Sequence, residues 1–189
     1  ERINRLVLIG ASGLYVPDQP IGDLFWQVQA QNGVEYRGLR ELLFAKPDSP
    51  AAIELLPDGR SVPEREISRY KVMRFASRVG FKPPYFYHRR LRTRLARFTN
   101  PALVIWGEQD RMVPIAHARA YRDALSGAKL EVIAGAGHCV HVEKTEAVVK
   151  RVQRFLAPAA AARKKSVRGV KKKTVTARAA NSGKKRRAR

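Results

Sequence analysis

The sequence holds a single cysteine, Cys139, among its 189 residues. An internal disulfide is therefore excluded, and a reducing compartment, the cytoplasm, is the expected location. No stretch approaches the roughly 18 continuous apolar residues of a membrane span, so no membrane partner is expected. The chain opens on Glu1 rather than methionine, so a targeting signal cannot be read from it. Acidic and aromatic residues are both missing from residues 158–189. That stretch carries 13 of the 38 Lys/Arg and none of the 16 Asp/Glu, leaving 25 basic and 16 acidic residues in the body. The formal net charge of +22 is thus concentrated at one end.

A segment built mainly from Ala, Lys, Arg, Ser, Thr, Val and Gly cannot bury enough apolar surface to offset its ordering entropy, so a disordered basic tail is expected over 158–189. Its clusters (Arg163, Lys164 and Lys165; Lys171, Lys172 and Lys173; Lys184, Lys185, Arg186 and Arg187) are candidates for binding nucleic acid or another polyanion through counterion release. Without an interleaved aromatic, sequence-specific single-strand recognition is not expected. A solubilising extension with no partner reads equally well.

What is present is a regular body. Apolar runs at Arg5–Gly10 and Pro101–Gly107 suit strands buried on both faces of a parallel sheet, and Lys129–Ile133 reads as a third strand. A helix with Ala118, Tyr121 and Leu125 on one face separates the last two. Another, over about 142–156, is expected to bury Val148, Val149, Val152, Phe155 and Leu156. Between about Leu14 and Phe98 the chain is charged, aromatic and rich in proline. Ser61-Val62-Pro63-Glu64 has a capping-box pattern that predicts a helix of about four turns, with weaker helices near 35–45 and 50–56. Strand–helix–strand–helix order implies an α/β fold with a parallel sheet.

Functional groups of such a sheet collect past the C-terminal ends of its strands. Asp110 follows the second strand, and His138 closes the Gly135-Ala136-Gly137 turn after the third. A carboxylate beside an imidazole fixes its tautomer and stabilises the imidazolium formed on proton uptake. Taken singly, His138 could be a structural histidine and Asp110 a helix cap; their placement after consecutive strands favours an acid–base pair. Glu108 reads as a turn residue. His117, His141 and Glu143 do not share one face with His138, so no metal site is expected. Cys139 reads as packing. Ser12 is a poor nucleophile candidate. The aromatics Phe25, Trp26, Phe44, Tyr70, Phe75, Phe81, Tyr85, Phe86 and Tyr87 could line an apolar pocket or form a local core.

Leu103–Pro114 and Gly135–Glu143 resemble the acid-bearing and histidine-bearing segments of α/β-hydrolases. Glu1–Gly10 resembles the strand after their nucleophile helix, and Arg92–Pro101 the return from their cap. The resemblance implies the C-terminal part of an α/β-hydrolase parallel sheet. Residues 1–14 would be the core strand, 15–98 a helical cap, 99–157 the C-terminal core and 158–189 the tail. It implies a Ser-His-Asp triad with Asp110 and His138 as acid and base, a small ester or related carbonyl substrate, and no cofactor; members of the fold that replace the serine with aspartate open epoxides or displace halide, so the reaction type stays open. The family's Gly-x-Ser-x-Gly nucleophile elbow is absent from the sequence, and Gly10-Ala11-Ser12-Gly13 has the wrong spacing. The chain by itself is therefore expected to be inactive. Two functions remain open: a hydrolase whose nucleophile lies elsewhere, and a non-catalytic scaffold whose tail binds polyanions.

Overall fold

Three short strands pair in chain order to make a parallel sheet: β1 (Leu6–Ile9), β2 (Ala102–Gly107) and β3 (Lys129–Ile133). Leu6 stands opposite Ala102, and Leu103 opposite Lys129. The computed structural model describes residues 3–24, 36–58 and 87–157. The helix predicted from Ser61, the aromatics Phe25, Trp26, Tyr70, Phe75, Phe81, Tyr85 and Phe86, and the basic tail lie outside the described residues. No described helix is long and apolar enough to cross a membrane. Residues Glu1–Val152 form one compact unit, and the chain from Gln153 belongs to a second.

Only β2 has the two-sided burial that an apolar run suggests, with every residue buried. Ala102, Val104 and Trp106 form one face of the core, while Leu103 and Ile105 are equally enclosed on the other. β1 and β3 flank the described sheet and are wetter: Ile9 and Val132 are both exposed. The expectation of fully buried strands thus holds for the central strand and not for its neighbours.

Six helices complete the described residues: α1 (Arg37–Leu43), α2 (Pro50–Leu55), α3 (Leu91–Leu95), α4 (Ile115–Ala124), α5 (Val140–Glu143) and α6 (Thr145–Leu156). α4 lies on β2 and β3 and presents Ala118 and Tyr121 to Trp106, with Leu125 just beyond its end. The Trp106 and Tyr121 rings sit 6.3 Å apart, and Trp106 Nε1 donates to Val113 O. Ala118 and Tyr121 lie on the face that the sequence spacing predicts, and Leu125 joins the same core from the cap position. The expected last helix divides into α5 and α6. Val148 is buried, but Val149 and Leu156, both expected inside, are exposed. Two valines in succession lie about 100° apart on a helix, so a narrow contact covers only one.

Side-chain bonds tie α1 to the chain that follows α2. Ser49 caps α2 by accepting from Ala52 N, and Pro50 occupies its first turn. Arg40, buried on α1, donates to Leu56 O and to both carboxylate oxygens of Asp58, at 2.9 and 2.6 Å. Asp58 also accepts from Tyr36 N. The Arg40 hydrogen bond holds the half-exposed Asp58 carboxyl below its ordinary pKa. Asp58→Ala would take the carboxylate away from the buried Arg40 guanidinium, and a loss of about 2 kcal/mol is expected in urea unfolding. Because the folded pKa is lowered, the Asp58 contribution is present above the usual carboxylate pKa. It fades as pH falls through the lowered folded value, and the variant's deficit should shrink with it.

Candidate active site

β2 and β3 run in the same direction and end side by side, so the turns that follow them meet. Gln109 N donates to Ala136 O, and Glu108 N to Ile133 O, which joins the two turns by backbone bonds. Gly107 and Gly137 make their close approach possible. A Cβ on Gly107 would lie 2.1 Å from Gly137 O, and one on Gly137 would lie 2.6 Å from Ala45 N. Only glycine fits between these backbones.

In this frame Asp110 and His138 come together. His138 Nδ1 stands 3.0 Å from Asp110 Oδ2. The Asp110 side chain is fully enclosed, whereas that of His138 remains 21% exposed. The other carboxylate oxygen accepts from Met112 N at 3.0 Å and Val113 N at 2.8 Å. Asp110 is therefore anchored through one oxygen and aims the other at the imidazole. An ionised carboxylate only accepts, so the proton of the shared bond belongs to Nδ1 and leaves the Nε2 lone pair as the base. His138 Nε2 makes no hydrogen bond among the described residues. The floor beneath the ring is Gly10, where an added Cβ would meet His138 Cε1 and Nδ1 at 3.3 Å. A residue after β1 thus shapes the seat of a side chain after β3.

The remaining candidates separate clearly. Glu108 accepts from Gly135 N and is a turn residue. His117 is buried, and its Nε2 is bonded to Gln19 O. His141 is exposed on α5, with its carbonyl accepting from Thr145. Glu143 is committed to backbone amides at Gly137, Ala45 and Lys46. Among the described residues no group of three His, Cys, Asp or Glu could hold a metal. Ser12 offers its carbonyl to the Tyr121 hydroxyl. Cys139 packs with Phe44 and Ala52, and burial, followed by the Glu143 and Asp110 charges, pushes its thiol up to about 11. Such a thiol is almost wholly protonated at neutral pH and is no nucleophile.

Of the aromatics considered for a pocket, Phe44 is core, 1% exposed. The Tyr87 ring meets that of Tyr15 in a tilted contact, centroids 5.3 Å apart, and borders an open apolar hollow of about 220 Å³ with Leu14, Val16 and Ile21. The part that sequence reasoning missed is the role of the segment 41–46. Arg111 Nη1 reaches Glu41 O at 2.8 Å, and Leu43 O accepts from Cys139 N at 2.9 Å. Contacts between positions nearly a hundred residues apart leave no periodic signal.

Comparison with known proteins bears on the fold. The sequence matches the family model of the alpha/beta hydrolase fold over residues 1–145. A curated relative, the pimeloyl-[acyl-carrier protein] methyl ester esterase of Xanthomonas oryzae pv. oryzae, is 28% identical over 161 residues, covering 82% of this chain and 62% of the relative. Among solved structures, the 2-hydroxy-6-oxo-6-phenylhexa-2,4-dienoate hydrolase of Rhodococcus sp. strain RHA1 superposes with a TM-score of 0.59 at 23% identity, over 82% of this chain and 56% of that one. The serine hydrolase CCSP0084 from the polyaromatic hydrocarbon-degrading bacterium Cycloclasticus zankles gives 0.57 at 20% identity, with the same coverage. The chain thus spans about three-fifths of the length of the curated relative it matches. With a family match over most of its length and a parallel sheet of the same fold, the chain belongs to the alpha/beta hydrolase family.

Proposed function

We propose that the chain supplies the base and the orienting acid of a carboxylic ester hydrolase, His138 and Asp110, and that they serve a serine presented from outside residues 1–189. The observation that carries this is the 3.0 Å His138–Asp110 bond, which leaves Nε2 unpartnered on a partly exposed ring. The serine hydroxyl attacks the ester carbonyl carbon while Nε2 takes its proton. The imidazolium, held by Asp110, then returns that proton to the departing alkoxide, which leaves as the alcohol. In the second half the same base activates water, which releases the acid and restores the serine. Asp110 stays ionised throughout and keeps the ring in one tautomer. Ester chemistry is favoured over other carbonyl substrates by the curated relative, itself named a methyl ester esterase. The nucleophile is expected in a Gly-x-Ser-x-Gly turn one helix before β1, on the order of 15–25 residues from Glu1.

The test is a serine-directed fluorophosphonate probe. Produced together with the sequence encoded immediately before Glu1, the protein should be labelled at one serine, and His138→Ala should abolish that labelling. Residues 1–189 alone should remain unlabelled, Ser12 included. Labelling of 1–189 alone, or labelling indifferent to His138, would defeat the proposal.

A further inference from the structure

The turn that carries His138 is held on both sides by a piece of chain more than ninety residues away. On the N-terminal side, Gly137 N donates to Glu143 Oε2 at 2.6 Å. The other oxygen of the same carboxylate accepts from Ala45 N at 2.8 Å and Lys46 N at 3.4 Å. On the C-terminal side, Cys139 N donates to Leu43 O at 2.9 Å. The backbone of Gly137 lies against that of residues 43–45, with no room even for a methyl group. Asp110 is tied to the same place through its neighbour, since Arg111 Nη1 donates to Glu41 O at 2.8 Å and Phe44 O at 3.3 Å. Residues 41–46 thus touch the acid turn and the histidine turn together.

We propose that Glu143 is a positioning residue for His138: its carboxylate bridges the histidine turn to residues 45–46, while Arg111 docks the acid turn on the same segment, so that this segment sets the alignment of the His138–Asp110 pair. The proposal rests on reading that pair as an acid and base. A carboxylate suits the task because both its oxygens accept and the three amides only donate. Glutamine at 143 has the same size but one acceptor, so its amide nitrogen would face a backbone N–H on one side of the bridge. Aspartate is shorter by a methylene and does not span both sides. Neither Glu143 nor Arg111 needs to touch substrate. Each acts through the pair.

The readout is the proton on His138 Nδ1, followed by NMR in the full chain with nitrogen-15-labelled histidine. Bonded to Asp110, it should give a far-downfield, slowly exchanging resonance. In Glu143→Gln its exchange with solvent should quicken roughly tenfold to a hundredfold, the change in opening population expected from losing one charge-assisted hydrogen bond. Far-UV circular dichroism should be unchanged. Arg111→Met, on an exposed side chain, should quicken it by a smaller factor. A resonance unmoved in Glu143→Gln, while the Gly137 and Ala45 amides shift, would overturn the proposal by showing that the bridge is local. Should Glu143→Gln unfold the chain, Arg111→Met decides: quickened exchange supports the proposal and an unmoved resonance overturns it. Absence of the resonance from the unsubstituted chain, with the Gly137 amide protected, would instead refute the acid–base pair itself. That failure is distinct, because it appears before any substitution.

Discussion

Asp110→Asn is expected to lower kcat/KM for ester hydrolysis by about ten-thousandfold, measured with the protein carrying its nucleophile segment. The geometry says why so small a change should cost so much. Asp110 uses one oxygen to accept from Met112 N and Val113 N, and those two bonds dictate how an amide would sit. The asparagine carbonyl must take that position, which points its NH2 at His138 Nδ1. Two donors then face each other unless the imidazole moves its proton to Nε2. With the proton there, the nitrogen facing the nucleophile can no longer act as a base. The carboxamide matches the carboxylate in size and keeps both backbone bonds, so the fold should tolerate it. A loss below tenfold, with an unchanged melting curve, would remove Asp110 from the reaction.

Gly107→Ala is expected to lower stability by about 3–5 kcal/mol, read as a fall of roughly 10 °C in Tm. The added Cβ would sit 2.1 Å from Gly137 O and 2.5 Å from Ala136 O, and both contacts are backbone. No rotamer change relieves them. Gly107 is buried at the end of the central strand, paired opposite Ile133, so it cannot shift without breaking the ladder into β3. Relief comes only by pushing the histidine turn away, which also separates His138 from Asp110. The same variant should therefore lose the downfield Nδ1 proton even where it remains folded. A melting point within 2 °C of the unsubstituted chain would show that the two turns give way more easily than their packing suggests.

The sequence exposed the Asp110–His138 pairing better than the frame around it. Asp110 and His138 are legible because each follows a short apolar run by a few residues, and strand ends in a parallel sheet locate chemistry. α4 is legible because Ala118, Tyr121 and Leu125 keep one helical face. The edges of the sheet are not. Leu6–Ile9 reads like the central strand, yet its burial depends on which strands lie beside it, which composition does not encode. Val149 was misjudged because periodicity marks an apolar stripe without stating how wide its partner is. Glu143 reads from the sequence as one more acid near a histidine. Its work depends on Ala45 and Lys46, and nothing in their side chains announces that their amides are needed.

Leu6 pairs with Ala102 across 96 positions, whereas Leu103 pairs with Lys129 across only 26. Loop-closure entropy grows with the logarithm of length, so the longer closure is harder by only about 1 kcal/mol. β2 and β3 can therefore meet early and recruit β1 later. The same logarithm bears on how the segment between β1 and β2 varies over evolutionary time. Forty more residues there would add only about 0.3 kcal/mol to the closure. Length can be added between β1 and β2 at little entropic cost, provided residues 41–46 still reach the histidine turn.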